Sequence, residues 1–166
     1  LQNLIDSHDT IRFLASANQS KERLKLAALL QFTYKGAPMI YYGDEIGLYG
    51  GKDPDNRRTM IWKERSNGEK PDKELYNYYS KLAEIRKNND VLIEGDISFI
   101  IPEDTRRVVV VVREKEGKKI YTIFNAWDRD QKISFEIDDR KDKMKELLSG
   151  KEINVKNKKV TVEVKG

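Results

Sequence analysis

Asn3-Leu4-Ile5-Asp6-Ser7-His8-Asp9-Thr10 runs from a short apolar segment straight into charged and hydroxyl side chains. Its apolar part, Asn3-Leu4-Ile5, reads as a short buried strand ending at Ser7-His8-Asp9. The same grammar returns in Ala37-Pro38-Met39-Ile40-Tyr41-Tyr42, an apolar strand that tolerates Pro38 only near its beginning. It leads into a Gly- and Asp-rich loop from Gly43 to Asn56, which contains Gly51-Lys52-Asp53-Pro54-Asp55-Asn56 and is followed by Arg57-Arg58. Between the two strands, Lys21 to Thr33 is predicted as a helix with Ser20 as its N-cap and Gly36 supplying the turn after it. After Pro71-Asp72 a second helix is expected to about Lys87, with Leu75, Tyr78, Tyr79, Leu82 and Arg86 along one face. The order is strand, helix, strand, helix. Each apolar strand ends in charged groups, and in a β/α barrel the loops at those strand ends build the catalytic rim.

Beyond residue 90 the hydrophobic period changes to two. Ile97–Ile101, Arg107–Arg113, Ile120–Phe124, Ile133–Ile137 and Val160–Val164 are predicted strands. Turn residues separate them at Gly95, Pro102-Glu103-Asp104, Glu116-Gly117, Ala126-Trp127-Asp128, Asp138-Asp139 and Ser149-Gly150. Short strands at this spacing predict a small antiparallel sandwich, and the valine run Val108 to Val112 suits a strand buried on both faces. The expected fold is α/β plus all-β, divided into residues 1–90 and 91–166. Two β/α units cannot close a barrel, and two parallel strands leave unpaired edges. With its first residues already reading as strand, the chain is expected to be part of a longer enzyme.

The 166 residues carry 36% charged and 38% hydrophobic side chains, a globular rather than a disordered composition. The net charge of +4 comes from 32 basic and 28 acidic residues interleaved along the chain, so no clustered patch marks a nucleic-acid partner. Without cysteine the chain has no disulfide, thiolate metal site or thiol nucleophile, and one histidine excludes a multi-histidine metal site. No apolar run reaches the length of a membrane span, so no membrane partner is expected; the compartment stays unassigned.

Three segments together resemble the α-amylase family, glycoside hydrolase family 13. Asn3-Leu-Ile-Asp-Ser-His-Asp-Thr-Ile-Arg-Phe13 is similar to its fourth conserved region. Gly36-Ala-Pro-Met-Ile-Tyr-Tyr-Gly-Asp-Glu-Ile-Gly47 looks like its eighth barrel strand and the turn that follows. Asp53-Pro-Asp-Asn-Arg-Arg58 with Met60-Ile61-Trp62 resembles the next loop, most closely in the neopullulanase, cyclomaltodextrinase and amylopullulanase members. The resemblance covers the whole chain and is most specific over residues 3–62. It implies the last two β/α units of a TIM (β/α)8 barrel, followed by an antiparallel β-sandwich, domain C. It also implies retaining hydrolysis or transfer at α-1,4, and in some members α-1,6, glucosidic bonds of starch-like or cyclic maltodextrin substrates. Such catalysis needs a nucleophile and a general acid, which the resemblance puts on the fourth and fifth barrel strands, outside this chain. Asp9 would be the carboxylate that stabilises the transition state, His8 a donor to hydroxyls of the same ring, and Asp53 and Arg57 the holders of the neighbouring glucose. No cofactor is implied for this chain, with calcium left open for the parent enzyme. The implied partners are an α-glucan oligosaccharide and either the remainder of the barrel or a second copy of the chain. This segment alone is expected to be inactive.

The residues also carry plainer readings. Ser7-His8-Asp9 is no hydrolase triad, since adjacency is not the required geometry, but it could be a capped turn at a strand end. The loop from Asp53 lacks the glycine and terminal glutamate of an EF-hand. Asp44-Glu45 reads as a solvated turn or a partner for Arg12 rather than a catalytic pair. Tyr76, Tyr78 and Tyr79 are read mostly as core, Trp62 as a buried anchor of its loop, Trp127 as a turn residue, and the stretch from Arg140 to Lys159 as a solvated face. Rival functions are a carbohydrate-binding or structural sandwich module, and an inactive family relative serving as a transporter partner.

Overall fold

Ser20 and Asp72 decide where the two long helices begin. In the computed structural model, which describes every residue except 104, 106, 139 and 140, the Ser20 hydroxyl accepts the Arg23 N–H at 3.2 Å and opens helix α2, Lys21–Thr33. A short helix α1, Phe13–Ser16, precedes it. Asp72 accepts from the Glu74 and Leu75 N–H groups at 2.9 and 3.0 Å and opens α3, Lys73–Lys87. Lys21 forms an ion pair with the same Asp72 carboxylate, so the start of α2 is tied to the start of α3.

The chain forms two units, Leu1–Ile93 and Glu94–Gly166. The division falls within a further short helix, α4 (Asp90–Glu94), in which Val91 and Leu92 are buried. In the first unit α3 buries Leu75, Tyr79, Leu82 and Arg86, one helical face. Tyr79 and Leu82 pack on Ala28 and Phe32 of α2, with the Phe32 and Tyr79 rings edge to face at 6.1 Å. Arg86 donates to the Phe32 carbonyl at 2.7 Å and to the Gly36 carbonyl, covering acceptors that the end of α2 leaves open.

Strands β1 (Gln2–Asn3) and β2 (Ala37–Pro38) pair in parallel, Gln2 opposite Ala37 and Asn3 opposite Pro38. Met39 continues the pairing by donating to the Asn3 carbonyl at 2.8 Å. Gln31 of α2 locks both segments, donating to the carbonyls of Asn3 (3.1 Å) and Met39 (2.8 Å). The strands are much shorter than the apolar runs that predict them. A strand exists only where a neighbour accepts its backbone groups, and each has one neighbour here among the described residues. Leu4, Ile40 and Tyr42, which the runs would bury, are exposed.

The second unit holds a three-stranded antiparallel sheet of β3 (Asp96–Ile100), β4 (Val108–Lys115) and β5 (Lys118–Asn125), in that spatial order. A four-stranded sheet has the order β6-β9-β8-β7, with β6 at Gln131–Glu136, β7 at Lys143–Lys145, β8 at Glu152–Lys156 and β9 at Lys159–Val164. Both sheets bury one core: Val108, Val110 and Val112 from the first, Ile133, Phe135, Val155 and Val160 from the second. The opposite face of β4 is also covered at Val111 and Arg113, and Arg113 donates to the Gly95 carbonyl at 2.7 Å. Two hairpins turn on paired positive φ values, Glu116-Gly117 and Asn157-Lys158. Those values match the twist of the flanking strands. β7 and all of β8 lie in the stretch from Arg140 to Lys159 expected to be a solvated face. Asp104 and Asp139 of the expected turns, and Arg140, lie outside the described residues.

Candidate functional site

The chain leaves β1 into a tight turn. Thr10 Oγ1 accepts the Ser7 N–H at 3.0 Å, Ser7 Oγ accepts the Asp9 N–H at 3.2 Å, and the Thr10 N–H returns to the Ser7 carbonyl. These local bonds occupy the hydroxyls and leave the His8 and Asp9 side chains outward, Asp9 73% exposed.

Past β2, the loop from Gly43 folds back over that turn. Gly50 permits it, since a Cβ there would lie 2.5 Å from the Asp55 carbonyl oxygen. The Gly50 carbonyl accepts the Arg12 N–H at 3.0 Å. A single 3₁₀ turn, Asp55–Arg57, then sets Arg57 toward Asp53, at 2.6 Å. The same guanidinium nitrogen lies 4.0 Å from Asp9, and His8 Nε2 lies 3.3 Å from the other Asp9 oxygen. His8, Asp9, Arg57 and Asp53 thus form one chain of contacts on an open rim, built from two separate loops. All four are exposed, so their ion pairs add little to stability. Asp55 faces inward to its own loop, accepting from Gly51 N–H (2.6 Å) and Arg58 Nε (2.7 Å), and Arg58 holds its carboxyl below the usual range.

Beneath the rim lies a buried polar layer. Asn56 donates from its side-chain amide to the His8 carbonyl at 2.8 Å and the Thr10 carbonyl at 2.7 Å. Arg12, fully buried, donates from Nε to the Asn56 carbonyl at 2.8 Å, from NH1 to the Tyr42 carbonyl at 2.6 Å, and to Asp44 at 3.3 Å. Its guanidinium lies over the rings of Tyr41 and Tyr42, at 3.9 and 4.7 Å from their centroids. Asp6, also buried, accepts the Phe13 N–H at 2.6 Å. Burial and the facing Asp6 carboxyl push Asp44 up to about 8, against the pull of Arg12. Burial and the same two carboxylates push the Tyr79 hydroxyl well up.

Asp44 is therefore a partner of Arg12 and not a solvated turn. Trp62 corrects an expectation: it is 83% exposed, and Ile61 anchors the loop instead, packed with Ile46, Leu48 and Met60. Neighbours on an extended segment point to opposite sides, so only one of the two could be buried. Tyr79 is core, Tyr78 half-buried and Tyr76 exposed. Sequence reasoning did not reach the roles of Asn56 and Asp6. An Asn at the start of a charged loop carries no periodic signal, although a buried Arg12 needs acceptors and so points to polar neighbours. Among the described residues no group of three or more His, Asp or Glu is placed to hold a metal ion.

The sequence model for the alpha-amylase catalytic domain matches residues 1–95. The chain belongs to the alpha-amylase family. A cyclomaltodextrinase of Thermoanaerobacter pseudethanolicus is 46% identical over 148 residues, covering 87% of this chain and 25% of that enzyme. Neopullulanase 2 of Thermoactinomyces vulgaris is 34% identical over 157 residues, covering 94% of this chain and 26% of its own length. Among solved structures, an alpha-amylase of Anoxybacillus superposes with a TM-score of 0.86 at 32% identity, over 99% of this chain and 36% of that one. This alpha-amylase-family chain spans about a quarter of the length of the curated relatives it matches.

Proposed function

We propose that this chain carries the sugar-binding and transition-state-stabilising side of a retaining α-glucan hydrolase site. In this reading Leu1–Ile93 supplies the last two β/α units of a (β/α)8 barrel and Glu94–Gly166 its domain C. Cleavage would pass through an oxocarbenium-like state, in which hydrogen bonds to ring hydroxyls strengthen. Asp9 would accept two such bonds and His8 would donate one. Asp53 and Arg57 would hold the adjacent glucose. The nucleophile and general acid would come from earlier strands of a longer chain, so the segment by itself would not turn over starch, maltodextrin or cyclodextrin. The exposed Leu4, Ile40 and Tyr42 support a missing neighbour, and so does an open, largely apolar groove at the start of β2, lined in part by Phe32, Pro38, Lys87 and Ile93. The rest of the barrel, or a second copy of the chain, would cover them.

One observation carries the reading: two loops from the ends of parallel strands bring Asp9, Arg57 and Asp53 together with their polar faces open. The test is steady-state kinetics on the full-length enzyme containing this segment. Asp9→Asn is expected to lower kcat by roughly 10²–10³, the size of one lost transition-state interaction. Asp53→Ala and Arg57→Ala are expected to raise KM or change product lengths instead. Equal, small effects at all three positions would remove the assignment.

A further inference from the structure

Three ion-paired groups on the rim come from two loops, Asp9 from one and Asp53 and Arg57 from the other, yet none of their contacts is strong enough to fix the loops. Asp9, Asp53 and Arg57 are each about half exposed or more, where such pairs contribute little. The register between the loops must be set underneath. The Asn56 side chain is almost wholly buried, and both of its amide hydrogens are used on the other loop. Their acceptors are the carbonyls of His8 and Thr10, the residues on either side of Asp9. The Asn56 main chain is held in turn, because its carbonyl accepts Arg12 Nε, and Arg12 reaches on to Tyr42 and Asp44. Asn56 also immediately precedes Arg57 in the chain. One residue therefore grips the backbone on both sides of Asp9 and carries the next side chain toward it. The amide oxygen of Asn56 has no hydrogen-bond partner, an unfavourable state for a buried acceptor. The two donors, not the oxygen, account for an amide at this position.

We infer that Asn56, braced by Arg12, is a positioning residue that sets the height and distance of Asp9 relative to Arg57 and Asp53. It touches no substrate. The inference rests on the proposed role of Asp9 and adds the device that aims it. A misplacement of about 1 Å at a catalytic group can cost about 100-fold in rate, so the expected loss is a factor of about 10–100 in kcat, with a rise in KM no larger than that of Arg57→Ala.

The experiment is a double-mutant cycle in the full-length enzyme containing this segment. Asn56→Asp keeps the side-chain shape but turns a carboxyl group toward two carbonyl oxygens, and Asn56→Ala removes the donors without adding charge. Each is made alone and with Asp9→Asn, and kcat and KM are measured at a temperature where circular dichroism shows the variants folded. A positioning residue that acts through Asp9 loses its effect once Asp9 is gone, whereas independent contributions add. The expected result is a 10–100-fold fall in kcat and less than a twofold further fall in the Asp9→Asn background. Unchanged kcat in both Asn56 variants overturns the inference. So does a full additional loss in the Asp9→Asn background, or failure of both variants to fold at any temperature, which would make Asn56 a residue of the fold and not of the site. If Asp9→Asn alone has no effect, the role of Asp9 fails first and the inference falls with it.

Discussion

Asp44 is the residue at which pH enters the folded state. Its carboxyl is buried beside Asp6 and pushed up to about 8 from an ordinary 3.8, burial being the larger cause. Between those values the folded protein holds a proton there that the unfolded chain has released. The contribution of this group is complete below about pH 4 and is lost as pH rises through about 8. The thermal midpoint of the first unit in the full-length enzyme is therefore expected to fall from pH 5 to pH 8. Asp44→Asn, which mimics the protonated form, is expected to match the parent at about pH 4 and below and to flatten the fall from pH 5 to pH 8; an unchanged slope would contradict the buried pair. Trp62 makes the opposite prediction. Standing 83% exposed, it contributes no core, so Trp62→Ala is expected to shift unfolding free energy by no more than about 0.5 kcal/mol, measured by denaturant titration. A loss of several kcal/mol would restore it as an anchor.

At the scale of elements, the caps give the clearest expectation. Asp72 accepts two N–H groups at the start of α3 and pairs with Lys21 of the neighbouring helix. Asp72→Ala is expected to cost about 1 kcal/mol, within a usual range of about 0.5–2. Burial raises the Asp72 carboxyl, but the Lys21 pair and the helix N–H groups outweigh it and hold it below its ordinary range. Its contribution is therefore present above about pH 4 and lost as pH falls, opposite in sign to Asp44. Urea titrations at pH 7 and pH 3 check this: the penalty of the variant should shrink at the lower pH. α2, α3 and five strands announce themselves because periodicity and caps are local signals. β7 and β8 do not, because only Met144, Ile153 and Val155 face inward there, between lysines and glutamates whose charges resemble a solvated face. The rim residues are named only through the family resemblance of the segments that carry them. The layer that aims them could not be named from the sequence, because Asn56 meets His8 and Thr10 across 48 and 46 positions of sequence.

For the whole molecule, the two units have different claims to independence. Glu94–Gly166 closes a core from its own two sheets, which is what a folding unit requires. Expressed alone, it is expected to give a cooperative thermal transition and protected amides through Val108–Val112. Leu1–Ile93 has a two-stranded sheet with open edges and exposed Leu4, Ile40 and Tyr42. Such edges pair with other chains, so the 166-residue chain is expected to size above a monomer or to exchange rapidly through Ala37–Tyr42. A monodisperse monomer with slow exchange there would show that the first unit needs no neighbour and would count against its origin in a larger barrel.

The strand order β6-β9-β8-β7 bears on how the protein is made. β9 hydrogen-bonds to both β6 and β8, and among the described residues β6 has no other neighbour in its sheet. A ribosome delivers β6 first and β9 last, so β6 must wait, unpaired, while β7 and β8 emerge. During that interval the backbone edges of β6 are available to any nascent chain or chaperone within reach. A stalled or truncated product ending before Lys159 would carry β6 as a permanently open edge, and quality control would meet it as an aggregation-prone strand and not as a slightly shortened domain.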